Sequence, residues 1–159
     1  MCLRNPRKVK LNKSITTYKV LEVEDDLFGP IYRSPYNKYL EHSTWSVGET
    51  NEISEYKRFI DCVWTPEFGI PVIGDGVYSP FRIEWGALHS YASLDGARKR
   101  LIWFMELFPS RKYVIGECRI PEDSAYVYSG NDNKDDGECS YASQKLTLLS
   151  IIEDGEKEN

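Results

Sequence analysis

Residues 82–121 constrain the fold of this chain most strongly, because they predict an extended segment, a helix and a strand in direct succession. Ser93 precedes the helix, and its hydroxyl can accept a hydrogen bond from a first-turn N–H group. Pro109 marks the end of the helix, since proline cannot continue one. We therefore predict a helix over 94–108 and a strand over 111–120. Apolar residues recur at helical spacing on one face, namely Leu94, Ala97, Leu101, Phe104, Met105 and Phe108.

Further strands are predicted on both sides of this unit. β-Branched and aromatic residues predict a first strand over 15–23 and a short extended piece at 125–128. Apolar residues on both faces of 141–152 predict a closing strand at a central position of the sheet. Residues 52–64 fit helical spacing, and 59–64 also fits a strand, so both alternatives stay open.

These elements predict an α+β fold in a single domain. The length of 159 residues suffices for one domain core and is short for two. We expect a strongly bent, mostly antiparallel sheet with the helix over 94–108 packed on one side. Residues 1–14 are basic without any acidic residue and predict a flexible arm, 15–152 form the domain, and 153–159 form an acidic tail.

Charge and hydropathy bear on partners and location. The formal net charge of −5 argues against a general nucleic-acid binder. No apolar run approaches the roughly 20 residues that cross a bilayer, and the N-terminal residues lack the apolar core of a signal peptide. We therefore expect a cytoplasmic protein that binds neither membranes nor nucleic acid.

The potential metal ligands lack the spacing of a metal site. The 4 cysteines are scattered without a C-x-x-C pair, and the only histidines are His42 and His89. The acidic run 131–138 places Lys134 where a calcium loop needs an oxygen ligand. We expect reduced thiols and no metal.

One tetrapeptide occurs twice in the chain. The sequence Ser-Tyr-Ala-Ser stands at 90–93 and again at 140–143. The residues that flank the two copies differ, so this echo does not indicate an internal repeat.

A first resemblance follows from the order of several short segments. They are 18–21, 34–36, 86–90, 117–122 and 141–143. In this order they resemble a family of small uncharacterised proteins from phages and prophages of gut bacteria, over 15–152. The resemblance implies a non-enzymatic accessory protein that binds a host protein or a small ligand in the host bacterial cytoplasm, for example to inhibit a host defence system. This interpretation requires no cofactor.

A second resemblance is to the ADP-ribosyltransferase architecture. Tyr18-Lys19 lies where such enzymes have Tyr-Arg, His89-Ser90-Tyr91 lies at the serine strand, and 118–121 lies at the late strand. The resemblance implies, as the alternative function, a divergent transferase that uses NAD with Glu138 as its acidic catalytic residue. Lys19 lacks the planar fork with which an arginine would bind a dinucleotide phosphate. The family's Ser-Thr-Ser motif and a second acidic residue beside Glu138 are missing.

The two functions share a set of candidate ligand-binding residues. Hydrolase chemistry is not indicated, because neighbours in a strand such as His89 and Ser90 point to opposite faces, and no G-x-S-x-G motif is present. A transferase is expected to bring a cation, the serine segment and an acidic residue to one cleft. The candidates are Tyr18, Lys19, Tyr36, His89, Ser90 and Tyr91, with Glu138 added under the alternative.

Overall fold

The computed structural model describes residues 3–35, 44–53, 63–64, 82–83, 88–131 and 139–155. It contains one helix within these ranges, α1 (Leu94–Leu107). The strands of the described ranges are β1 (Leu3–Lys8), β2 (Ile15–Asp26), β3 (Gly29–Arg33), β4 (Thr44–Trp45), β5 (Thr50–Glu52), β6 (Val63–Trp64), β7 (Arg82–Ile83), β8 (Leu88–Tyr91), β9 (Lys112–Ile120), β10 (Val127–Asn131), β11 (Cys139–Ser143) and β12 (Lys145–Asp154).

These strands join in one sheet. Its order is β5-β12-β9-β2-β8-β11-β10-β1-β7-β6, and β3 joins β2 and β4 beside this path. Every pairing between the described strands is antiparallel. The prediction of a mostly antiparallel α+β fold is therefore confirmed, whereas the strong bend of the sheet stays a prediction.

Helix α1 begins as its sequence predicts. The Gly96 N–H donates to the Ser93 hydroxyl over 3.1 Å, and Asp95 places a negative charge in the first turn. The helix ends at Leu107, one residue before the predicted end. Its apolar face packs on one side of the sheet, where the Phe104 and Tyr113 rings stack at 5.2 Å. This core contains Val20, Tyr91, Ala97, Leu101, Phe104, Tyr113 and Ile115.

A second core lies on the opposite face of the central strands. Alternation along β2 turns Leu21 into this core while Val20 faces the helix. Gly116 lies opposite Lys19 on β9, and a Cβ atom there would collide with the Leu148 side chain. A larger residue at this position would therefore have to displace the end of the Leu148 side chain. The buried members are Leu21, Trp45, Ile53, Leu88, Val114, Cys118, Ile120, Tyr126, Val127, Ala142, Leu146 and Leu148.

The structure corrects the prediction for the N-terminal segment. Residues 3–8, predicted as part of a flexible arm, form β1. This strand pairs with β10 through Arg7 and Ser129, and with β7 through the backbone of Leu3. Sequence reasoning missed it because Pro6 and the basic residues suppress a β-strand pattern, whereas pairing with distant strands supplies the hydrogen bonds.

Other boundaries also differ. The first strand continues past Val23 to Asp26. The closing strand over 141–152 is two strands, β11 and β12, separated at Gln144. β12 lies between β9 and β5, in keeping with its predicted central position. Of the ambiguous stretch 52–64, the part at 54–62 lies outside the described residues.

Replacing Leu101 with Ala tests the assignment of the helix face. The side chain is 6% exposed, so its truncation removes buried apolar area and leaves a cavity. We expect the free energy of unfolding to fall by about 2–5 kcal/mol in urea denaturation. Ile102→Ala is the matched control on the same helix, because Ile102 is 55% exposed and should change stability little. Equal losses from both variants would contradict this assignment.

Candidate functional site

The structure brings most of the predicted ligand-binding residues to one place, where β2 pairs with β8. The contact is made through Tyr18 and Tyr91, which lie directly opposite each other. Tyr36 and Glu138 lie outside the described residues. The candidates that meet at this β2–β8 junction are Tyr18, Lys19, His89, Ser90 and Tyr91. Their role in ligand binding stays a prediction.

The pairing sorts these residues onto two faces. Tyr18 and Tyr91 contact the core beneath the helix, where the Tyr91 hydroxyl accepts a hydrogen bond from Arg100 Nε at 3.0 Å. Lys19 follows Tyr18 on β2, and Ser90 precedes Tyr91 on β8. Both side chains therefore lie on the opposite face of the sheet. The junction therefore has an aromatic side and a polar side.

Lys19 is the most unusual residue of the polar side, because its ammonium group is buried in the second core. The side chain is 7% exposed. Its Nζ donates to the backbone carbonyl of His89 at 2.8 Å and lies 5.3 Å from the centroid of the Trp45 ring. Within the described ranges, no carboxylate forms an ion pair with Lys19. A backbone dipole and a ring face are thus its observed partners.

Burial shifts the titration of Lys19 and of a nearby thiol in opposite directions. Desolvation lowers the pKa of Lys19 from 10.5 to about 8, against a smaller raising effect of Cys118. Desolvation raises the pKa of Cys118 to about 12, against the opposing effect of the Lys19 charge. At neutral pH the lysine is therefore mainly an ammonium and the thiol is protonated, so no thiolate balances the buried charge.

Two buried hydroxyl groups accompany Lys19 on this face of the sheet. Ser90 and Thr17 are both 0% exposed, and neither hydroxyl has a hydrogen-bond partner among the described residues. Thr17 lies two positions before Lys19 on β2, opposite Cys118.

Three residues around Lys19 were not among the predicted site residues, namely Thr17, Trp45 and Cys118. The alternation of Thr17, Lys19 and Leu21 was the available signal, because it puts a lysine on the same face as apolar residues.

A second candidate site is the tip of the β2–β3 hairpin. Asp26 pairs with Gly29, which leaves Leu27 and Phe28 as the turn. Both side chains are 97% exposed, the largest exposures among the described large hydrophobic residues. Gly29 has a φ of 122°, a conformation that glycine adopts without strain. The predicted first strand ended at Val23, so the exposed apolar pair at the tip was not predicted.

The hairpin extends beyond the rest of the sheet. The pairing of β2 with β9 ends at Val23 and Lys112, whereas β2 continues to Asp26 with β3 as its partner. An ion pair between Glu24 and Arg33, 3.0 Å apart, spans the base of this two-stranded ribbon. Leu27 and Phe28 are thus presented at the end of a projecting element.

The described residues contain no group of three or more His, Cys, Asp or Glu side chains arranged to hold a metal ion. Within the same ranges, no helix combines the length and apolar character that a membrane crossing requires. No protein-family model, curated protein or solved structure matches this chain. The two candidate sites are therefore interpreted from their own geometry.

The titration of Lys19 predicts a rise of stability with pH. The pKa in the folded protein, about 8, lies below the ordinary value of 10.5. Between these values the unfolded chain binds more protons than the folded one, so the free energy of unfolding increases as pH rises. Below pH 8 Lys19 is charged in both the folded and the unfolded protein, so the full free-energy cost of burying the ammonium is present. This pKa shift corresponds to a change in the free energy of unfolding on the order of 3 kcal/mol.

The measurement is best made in a Cys118→Ala background. The raised pKa of Cys118 acts in the opposite sense, lowering stability as pH rises from 9 towards 12. Urea denaturation at pH 7 and pH 10 should show the increase in Cys118→Ala, whereas the double variant Lys19→Met/Cys118→Ala should lack it. The same pH dependence in both proteins would show that Lys19 is not desolvated.

Proposed function

We propose that this chain is a non-enzymatic accessory protein of a phage or mobile element that binds a host protein in the bacterial cytoplasm, for example to inhibit a defence system. The family resemblance motivates the biological setting. The observation that carries the binding function is the exposure of Leu27 and Phe28, each 97%, at the tip of the projecting hairpin.

An exposed apolar pair of this kind favours insertion into a pocket. Burying a Leu or Phe side chain contributes roughly 1.5–3 kcal/mol each. Single exposed apolar residues are common on protein surfaces, but adjacent ones at the end of a ribbon form a compact anchor. Interfaces commonly obtain most of their binding energy from a few such anchors.

The charges beside the tip indicate the complementary surface. Asp25 and Asp26 are exposed next to Leu27, and the Asp26 carboxylate accepts a hydrogen bond from the Leu27 N–H at 2.6 Å. Glu24 is already bound by Arg33. The expected partner thus has an apolar pocket bordered by lysine or arginine side chains, which would also accelerate association.

Recognition by the tip side chains is favoured over addition of a strand to β3. Pro30 lacks a backbone N–H, and prolines protect exposed strand edges from pairing. β4 covers only Tyr32 and Arg33 at the other end of β3. Among the described strands, the part of the β3 edge that β4 leaves unpaired contains the proline, and affinity is expected to depend on Leu27 and Phe28.

The double variant Leu27→Ser/Phe28→Ser tests this proposal. Wild-type protein immobilised in host lysate should capture a host protein, identified by mass spectrometry, and its affinity should fall at least about tenfold in the variant. The melting temperature should not fall, because both side chains are exposed. Val47→Ser, at a residue that is 52% exposed elsewhere, is the matched control. Equal capture by the double variant would overturn the proposal.

The alternative, an ADP-ribosyltransferase, is less well supported at Lys19. A phosphate-binding cation must reach the dinucleotide, whereas Lys19 is 7% exposed and its Nζ binds the His89 carbonyl. We expect no release of nicotinamide when purified protein is incubated with NAD. Turnover that disappears in Glu138→Gln, which retains size and removes the charge, would reject the non-enzymatic function.

A further inference from the structure

Among the residues that the structure describes, the buried charge of Lys19 has no counter-charge. Charged groups in protein interiors are normally paired, because removing an ion from water costs several kcal/mol. Here the described residues supply one carbonyl at 2.8 Å and one ring face, and no carboxylate. An ammonium group has three N–H donors, and the hydrogen bond to the His89 carbonyl uses one of them.

Two further donors lie in the same row of the sheet. Ser90 is adjacent to Lys19 across β2 and β8, since Tyr18 and Tyr91 are directly opposite. Tyr141 lies directly opposite Ser90 on β11. Opposite residues in antiparallel strands face the same side, with Cβ atoms about 5 Å apart. Three successive strands therefore present an ammonium, a serine hydroxyl and a phenol hydroxyl on one face.

We propose that this row is a binding site for a small monovalent anion, either a halide or the carboxylate of a small acid. The Lys19 ammonium balances the charge, the Ser90 hydroxyl donates a second hydrogen bond, and Tyr141 lies on the open side. This site is independent of the hairpin tip and of the function proposed for it.

The burial of the three residues indicates both the size of the anion and its path. Lys19 and Ser90 are 7% and 0% exposed, so an anion bound by both must be small. Tyr141 is partly buried, and burial raises the pKa of its hydroxyl, which therefore stays a donor at neutral pH. The row thus leads from the core towards solvent through Tyr141.

An anion accounts for this site better than an ordered water molecule. Water can satisfy the Ser90 hydroxyl, which has no hydrogen-bond partner among the described residues. Water carries no charge, so it leaves the ammonium uncompensated. A monovalent anion supplies both an acceptor and the matching charge. Trp45 and Leu21, in the adjoining core, would contact the apolar part of a carboxylic acid.

The test is thermal denaturation of the full chain at pH 7 and constant ionic strength. Chloride, formate and acetate are each titrated against a balancing salt. Because the anion binds only the folded state, the melting temperature should rise with its concentration, and above the dissociation constant the rise should follow the logarithm of the concentration. A larger rise with chloride identifies a halide site, and a larger rise with formate or acetate identifies a carboxylate site.

Variants assign the effect to the row. Lys19→Met should abolish the anion-dependent rise, and the replacement of a buried charge with an apolar side chain of similar size is often neutral or stabilising. Ser90→Ala should weaken the apparent affinity about tenfold. Lys112→Met is the matched control: this lysine is 45% exposed, and its removal should leave the rise unchanged.

A direct measurement covers the case in which Lys19→Met does not fold. The pKa of the Lys19 ammonium in the wild-type protein, followed by NMR, should increase when the effective anion is added, because a bound negative charge favours the ammonium. An unchanged pKa of Lys19, or a rise in melting temperature of the same size in Ser90→Ala and wild type, would overturn the proposal.

Discussion

The pairing of β2 with β9 is the constraint on which the described structure depends. It joins Ile15–Ile120 through Val23–Lys112 in continuous register. Because alternate residues of β2 face opposite sides, this register places Val20 beneath the helix and Leu21 in the second core. A slip of one residue would exchange the two sets, so the same pairing fixes the burial of Lys19 and the residue at which the hairpin leaves the sheet.

The sequence predicted what local chemistry determines and missed what distant pairing determines. Helix α1 carries its own signals, a serine cap and a periodic apolar face, and its limits agree with the prediction to one residue. The strand β1 has no comparable signal, and its pairing with β10 joins Arg7 to Ser129, far away along the chain. Such contacts depend on the whole topology and not on a window of residues.

The repeated tetrapeptide shows the same limit in the candidate site. In the structure its two copies lie on neighbouring strands, with Ser90 opposite Tyr141 and Tyr91 opposite Ser140. The first serine of each copy therefore lies opposite the tyrosine of the other copy. The repeated tetrapeptide is visible in the sequence, and Lys19, Ser90 and Tyr91 were predicted as candidates from it. Only the β2–β8 and β8–β11 registers show that Lys19, Ser90 and Tyr141 form one row.

Lys19 and the hairpin tip are both difficult to explain by stability alone. A methionine at position 19 would fill the core without the cost of desolvating an ammonium, and such replacements of buried charges are often stabilising. Serine side chains at 27 and 28 would keep the turn and remove two apolar groups that are 97% exposed. Departures from local rules are expected where a protein binds something, because the unfavourable group is compensated only in the complex. The occupants that we propose for the two sites therefore differ, an anion within the sheet and an apolar pocket around the hairpin, and neither proposal requires the other.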